Sequence, residues 1–242
     1  MDLILAIGSN AYADYDSLNV PASKLAQFAY FTDPIAPIEL HTPKELAYGG
    51  THRFVYVGRL ESLKGADLAL RALANVNSNA WTLDIIGDGR QRAQLEQDAK
   101  SLNIDQQVHF HGTLAHRTIR RMLSMWDTLL VPSRYDGWGN VVNEACMSGV
   151  RSIVSDAAGA HDIVASDPLL GEYFPSEDLR ALTALLDLEI ERPTLSTTER
   201  KLISTRAEQK IGSTAGAQYV ASLVEYLYCE GHETPRPPWE SH

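Results

Sequence analysis

The chain has 242 residues, 44% of them hydrophobic and 21% charged, enough to bury a sizeable core in one large domain or two small ones. Its formal net charge of -10 repels phosphate backbones and argues against a nucleic-acid partner, while a small phosphate ligand held by local cations and helix termini stays compatible. Cys146 and Cys229 form no CxxC or metal-ligand pattern and read as reduced thiols of a cytoplasmic protein.

The opening Met1 to Gly8 has no basic segment and too short an apolar run for a signal peptide. No stretch approaches the ~20 apolar residues of a membrane span. Attachment to a membrane surface stays compatible with the sequence.

Leu3–Ile7 is short, apolar and partly β-branched, and predicts a buried strand. Gly8-Ser9-Asn10 predicts a turn, followed by a helix to about Leu18, and Lys24–Tyr30 predicts a further extended segment. Pro34, Pro37, Pro43 and Gly49-Gly50 interrupt any apolar period, so residues 33–50 read as a linker. From residue 51 the pattern is regular. Strands are expected at Arg53–Val57, Trp81–Ile86, Val108–Phe110, Thr128–Val131 and Ser152–Ser155. Helices are expected at Ala66–Ala74, Arg90–Leu102, His116–Met125, Asn140–Ser148 and Glu177–Leu188. Two more helices, near Thr197–Lys210 and Ala215–Tyr228, occupy a segment 191–230, and the proline-bearing tail 231–242 is expected to fray.

Strands and helices that alternate in this way imply a parallel sheet covered on both faces. Ligands on such sheets bind beyond the carboxyl ends of the strands. The loops after Val57, Ile86, Phe110 and Val131 are therefore where chemistry is expected.

After the first of these strands comes Gly58-Arg59-Leu60-Glu61-Ser62-Leu63-Lys64-Gly65. Two cations beside a helix start suit an anion such as a diphosphate; the alternative is a solvated loop with ordinary surface charges. Gly87-Asp88-Gly89 lacks the third glycine of a dinucleotide fingerprint, so a tight strand-to-helix turn is the preferred reading. The richest segment runs from Pro132 to Ala145. Asp136 lies in its loop, Gly137 and Gly139 bare the backbone, and Glu144 stands about one turn into the helix, with seven residues between the two acids. A carboxylate at Glu144 can accept two hydroxyl hydrogen bonds of a ribose. A glutamate there could also merely suit the helix dipole; the glycines and the second acid favour the binding role.

Three segments, Gly58-Arg59-Leu60 with Lys64-Gly65, Ile86-Gly87-Asp88-Gly89, and Asp136-x7-Glu144, occur in this order between about residues 50 and 190. Together they resemble the carboxyl-terminal, donor-binding domain of the family 4 retaining glycosyltransferases, which have the GT-B fold. The resemblance implies an α/β, Rossmann-like parallel sheet flanked by helices over 51–190, with residues 1–32 as a remnant of the amino-terminal, acceptor domain. It implies that Arg59 and Lys64 hold the donor diphosphate and Glu144 the ribose. Asp136, with the amides of Gly137 to Asn140, would hold the transferred sugar. Gly58, Trp138 and Gly139 would complete the donor site, and the segment His111 to Leu114, with Gly112 and Leu114, would line the base pocket. Asp136, Glu144, Arg59 and Lys64 form the implied catalytic set. No metal and no cofactor is implied; the nucleotide sugar is a substrate. A sugar or lipid-linked acceptor, in polysaccharide or glycoconjugate synthesis, is the implied second partner.

The chain departs from the family pattern in three places. Asp136 stands where glutamate is usual, Gly149-Val150-Arg151 replaces Gly-x-Pro, and Gly159 and Asp162 stand where a glycine pair and a glutamate are common. About fifty residues precede the donor domain, too few for a second Rossmann domain, so a missing amino-terminal half and no activity alone are expected. A non-catalytic nucleotide-sugar-binding module and another GT-B enzyme, such as a nucleotide-sugar epimerase, are the alternatives. His52, His109, His111, His116 and His161 are scattered, and at most one is expected to face a ligand. Trp138 can stack on the sugar or pack the loop, with packing preferred, and Cys146 reads as a small core residue.

Overall fold

The computed structural model describes residues 2–33, 50–228 and 234–240; Met1, residues 34–49 of the expected linker 33–50, and residues 229–233 and 241–242 lie outside them. Two parallel sheets organise these residues. The first pairs β1 (Ile4–Ile7) with β2 (Leu25–Phe28), connected through helix α1 (Gly8–Ser17).

The second sheet contains β3 (His52–Val57), β4 (Trp81–Ile86), β5 (Val108–Gly112), β6 (Thr128–Val131), β7 (Arg151–Ser155) and β8 (Gly171–Phe174). Their spatial order is β5-β4-β3-β6-β7-β8, all parallel. This is the doubly wound Rossmann order, whose direction of winding reverses between β3 and β6. The expected α/β, Rossmann-like sheet flanked by helices is what the chain forms.

The apolar strands are continuous because both faces are covered. Along β3, Phe54 and Tyr56 face one core while Val55 faces the other, and along β6 Leu130 and its neighbours Leu129 and Val131 divide in the same way. One core is closed by α2 (Ala66–Leu73), α3 (Arg92–Ser101) and α7 (Leu179–Glu191). The opposite core takes side chains from α5 (Asn140–Met147), α6 (His161–Ser166) and α8 (Thr197–Ile211), with Ile119 and Met122 of α4 (His116–Met122) at its border. Helix α9 (Ser213–Tyr228) covers the small sheet through Tyr219 and Leu223 against Ala26.

Three elements differ from the sequence reading. Gly8-Ser9-Asn10 is the first turn of α1, not a separate turn. Its start is capped from far away: the Ser9 amide and hydroxyl donate to Asp162 at 2.7 and 2.6 Å. β8 and α6 were not expected; each is short, and β8 is an edge strand that opens with glycine.

The expectation of a frayed tail is corrected for residues 234–240. Pro238–Glu240 form a 3-10 turn, and Trp239 is buried in the core. A large apolar side chain outweighs the prolines that suggested fraying.

Candidate functional site

The reversal between β3 and β6 places their carboxyl ends side by side, and the loops that leave them are fastened together. Arg134, after β6, donates to the Ser62 carbonyl at 2.7 Å and makes paired bonds to Asp67 at 2.8 and 2.7 Å, while its amide donates to the Leu63 carbonyl at 2.8 Å. Burial alone would raise the Asp67 carboxyl, but the Arg134 hydrogen bonds and charge hold it below its ordinary value. Tyr56 donates to the Arg59 carbonyl at 3.0 Å and fixes the first loop from beneath; burial above all, with Asp67 and Asp136 adding to it, raises its phenol.

Above this base lies a cleft of about 560 Å³, walled by Tyr56, Val57 and Gly58 on one side and by the segment Asp136 to Val141 on another. Ile7, Ala11 and Tyr30 close it from the small sheet and α1. A second cleft of about 480 Å³ is lined by Phe31, Thr32, His116, Ile119 and Glu144, and it shares Tyr30, Val57, Asn140 and Val141 with the first. The first turn of α5 is thus common to both. Gly139, at φ 98°, caps it in the left-handed region, which favours glycine, and the free amides of the helix start are suited to an anion.

Of the predicted site residues, Gly58, Lys64, Asp136, Gly137, Trp138, Gly139 and Asn140 line the first cleft and Glu144 lines the second. Lys64 and Asp136 meet at 2.7 Å, both about a fifth exposed, so the cation assigned to the diphosphate and the acid assigned to the sugar neutralise each other. Asp136 also accepts the Trp138 amide at 3.3 Å. Arg59 follows Gly58, is exposed, and has no side-chain partner among the described residues. Gly112 and Leu114 line neither cleft: they stand at and just beyond the end of β5, where Gly112 accepts the Gly87 amide at 2.8 Å.

Trp138 takes the packing role. It is buried, and its indole N–H donates to Asn143 at 3.0 Å. Cys146 is buried, and burial pushes its thiol up to about 12. A Cβ at Gly87 would run into the Gly58 carbonyl, so the close packing of the two loops accounts for a glycine there.

Sequence reasoning missed three contacts that build the site. They are the Arg134–Asp67 pair, the Ser9–Asp162 cap, and Asn143, which is fully buried and donates to the Tyr30 carbonyl at 2.6 Å. Asn143 and Asp162 hold the small sheet against the large one and so define the walls of both clefts. Their partners across to the small sheet lie more than a hundred residues away in sequence, so no local pattern signals them.

Among the described residues no group of three or more His, Cys, Asp or Glu side chains converges as metal ligands would, and no helix is long and apolar enough to cross a membrane. The arrangement offers cations, helix amides and two separated carboxylates, a set suited to binding a phosphorylated sugar derivative.

The family model described as "Glycosyl transferases group 1" matches residues 38–209. Glycogen synthase of Mycobacterium tuberculosis is 27% identical over 191 residues, which is 78% of this chain and 45% of that protein. The chain therefore spans about half the length of this curated relative. Among solved structures, the lipopolysaccharide outer core galactosyltransferase WaaB in its apo form superposes with a TM-score of 0.80 at 21% identity, covering 95% of this chain and 62% of the other. Anabaena HepE in complex with UDP superposes with a TM-score of 0.77 at 19% identity, covering 93% and 64%.

Proposed function

Because the chain belongs to the group 1 glycosyl transferases, we propose that it is the donor-binding half of a retaining, family 4 type enzyme of GT-B architecture. Such an enzyme moves a sugar from a nucleotide diphosphate sugar to a sugar or lipid-linked acceptor, in polysaccharide or glycoconjugate synthesis. The observation that carries this reading is the pair of joined clefts at the reversal of the sheet, with the start of α5 between them. Each is in the size range of small-molecule sites, roughly 300–1,000 Å³.

In this reading the diphosphate lies at the α5 amides with Arg59 and Lys64, the ribose reaches Glu144 in the second cleft, and the transferred sugar lies in the first cleft beside Asp136. Lys64 must then divide its donors between Asp136 and the diphosphate, which a three-donor ammonium can do. Asp136, one carbon shorter than glutamate, is already held by Lys64 and the Trp138 amide, so the sugar meets a fixed carboxylate. The acceptor would be presented by a facing domain. Holding two reactants in register supplies about 7–11 kcal/mol of such a barrier, so donor binding without efficient transfer is the behaviour expected of these residues alone.

The ribose assignment is tested with Glu144→Gln. Calorimetry should show weaker binding of a nucleoside diphosphate, with UDP as the first probe, by roughly tenfold. Inorganic pyrophosphate should bind almost as before. Equal losses for both ligands would point to a general electrostatic effect and remove the ribose from Glu144.

A further inference from the structure

We propose that His116 is a positioning residue for Glu144 and thereby sets a preference for ribonucleotides over deoxyribonucleotides; this rests on the donor-site reading above. His116 opens α4, and its Nε2–H donates to Glu144 Oε1 at 2.5 Å. Among the described residues Oε2 has no partner, and the carboxylate lines the second cleft.

The pairing is badly placed to stabilise the fold. The His116 side chain is 68% exposed and that of Glu144 12%, and ion pairs with so open a member contribute about 0–1 kcal/mol. It is well placed to orient. Glu144 is the fifth residue of α5, past the free amides of the first turn, so no backbone donor of its own helix holds its carboxylate. A glutamate left to itself samples several rotamers. The imidazole selects one, and α4 is itself held, because Arg120 donates to the Asp33 carbonyl at 2.7 Å and Ile119 packs into the cleft. With Oε1 engaged, Oε2 is left for one ribose hydroxyl, and the neighbouring hydroxyl can share Oε1. A deoxyribose lacks one of the two donors and recovers only part of this.

Calorimetry of the wild type, His116→Ala, His116→Gln and Glu144→Gln against UDP, 2′-deoxy-UDP and inorganic pyrophosphate tests the inference; GDP and ADP with their 2′-deoxy forms extend it if UDP does not bind. The wild type should prefer the ribonucleotide. His116→Ala should reduce that preference roughly fivefold to tenfold with pyrophosphate affinity unchanged. His116→Gln, whose amide N–H reaches about as far as Nε2, should restore much of it.

Preference kept in His116→Ala but lost in Glu144→Gln would overturn the role of His116 and leave the donor site standing. Preference kept in both would overturn the ribose assignment itself. An equal loss for all three ligands in His116→Ala would show a general effect and also overturn the inference. Failure of the wild type to bind any of the nucleotides would overturn the donor reading and this inference together.

Discussion

Replacing Asp127 by alanine is expected to lower the free energy of unfolding by about 3–5 kcal/mol. Asp127 lies at the start of β6, at the end of the sheet away from the clefts, and is 3% exposed. Its carboxylate accepts from the Arg53 amide and guanidinium at 3.0 to 3.1 Å and from Arg200 at 2.7 Å. Arg200 is as deeply buried and ties α8 to this point, also donating to the Trp126 carbonyl at 2.9 Å. Removing the one acid leaves buried Arg200 and largely buried Arg53 with no carboxylate partner among the described residues, and the uncompensated charges set the size of the loss.

The same site predicts acid sensitivity. Burial alone would raise the Asp127 carboxyl, but the hydrogen bonds and charge of Arg53, with His52 and Arg200, hold it below its ordinary value of 3.8. A depressed acid contributes stability that is fully present above the unfolded value and lost as pH falls through the folded one. The wild type should therefore lose stability below about pH 4, and Asp127→Ala should lack that increment. Urea unfolding followed by tryptophan fluorescence reads both effects. A change under 1 kcal/mol at neutral pH would mean that solvent reaches the two arginines.

Trp239→Ala is expected to cost about 2–4 kcal/mol. Trp239 is 1% exposed, and its ring lies 6.0 Å from Trp138, 6.3 Å from Phe31 and 6.3 Å from Tyr219. It thus joins the cleft loop, the segment after β2 and α9. Truncation of a buried tryptophan ordinarily costs 3–5 kcal/mol. Among the described residues its indole N–H has no partner, and relieving an unsatisfied donor offsets part of the loss. Trp239→Phe should retain most of the stability, since it keeps the ring and removes the N–H. An alanine variant as stable as the wild type would mean that the tail does not close this core.

The large sheet was legible in the sequence because its strands are buried on both faces and read as unbroken apolar runs, as in Thr128–Val131. The cleft loops were legible for a related reason: a parallel sheet places its ligands beyond the strand ends, and the cations, glycines and acids are concentrated there. What escaped was long-range. Asp162, noted in the sequence only where the family commonly has a glutamate, gains its role from Ser9, 153 residues away, and Asn143, within an expected helix, gains its role from Tyr30, 113 residues away. Local pattern also misjudged the tail, where prolines signalled fraying although one tryptophan decides the outcome.

The claim that the start of α5 and the loop after β3 hold a nucleotide diphosphate is tested most directly by titrating UDP and UDP-glucose into the wild type, Arg59→Ala and Lys64→Ala. Arg59 is the cleaner probe, because Lys64 also balances Asp136 and its loss disturbs that acid. A charge-assisted hydrogen bond contributes about 1.5–3 kcal/mol, so each variant should bind roughly tenfold or more weakly with its unfolding transition unchanged. Unchanged affinity in both variants, with the fold intact, would contradict the diphosphate clamp and with it the donor-binding account.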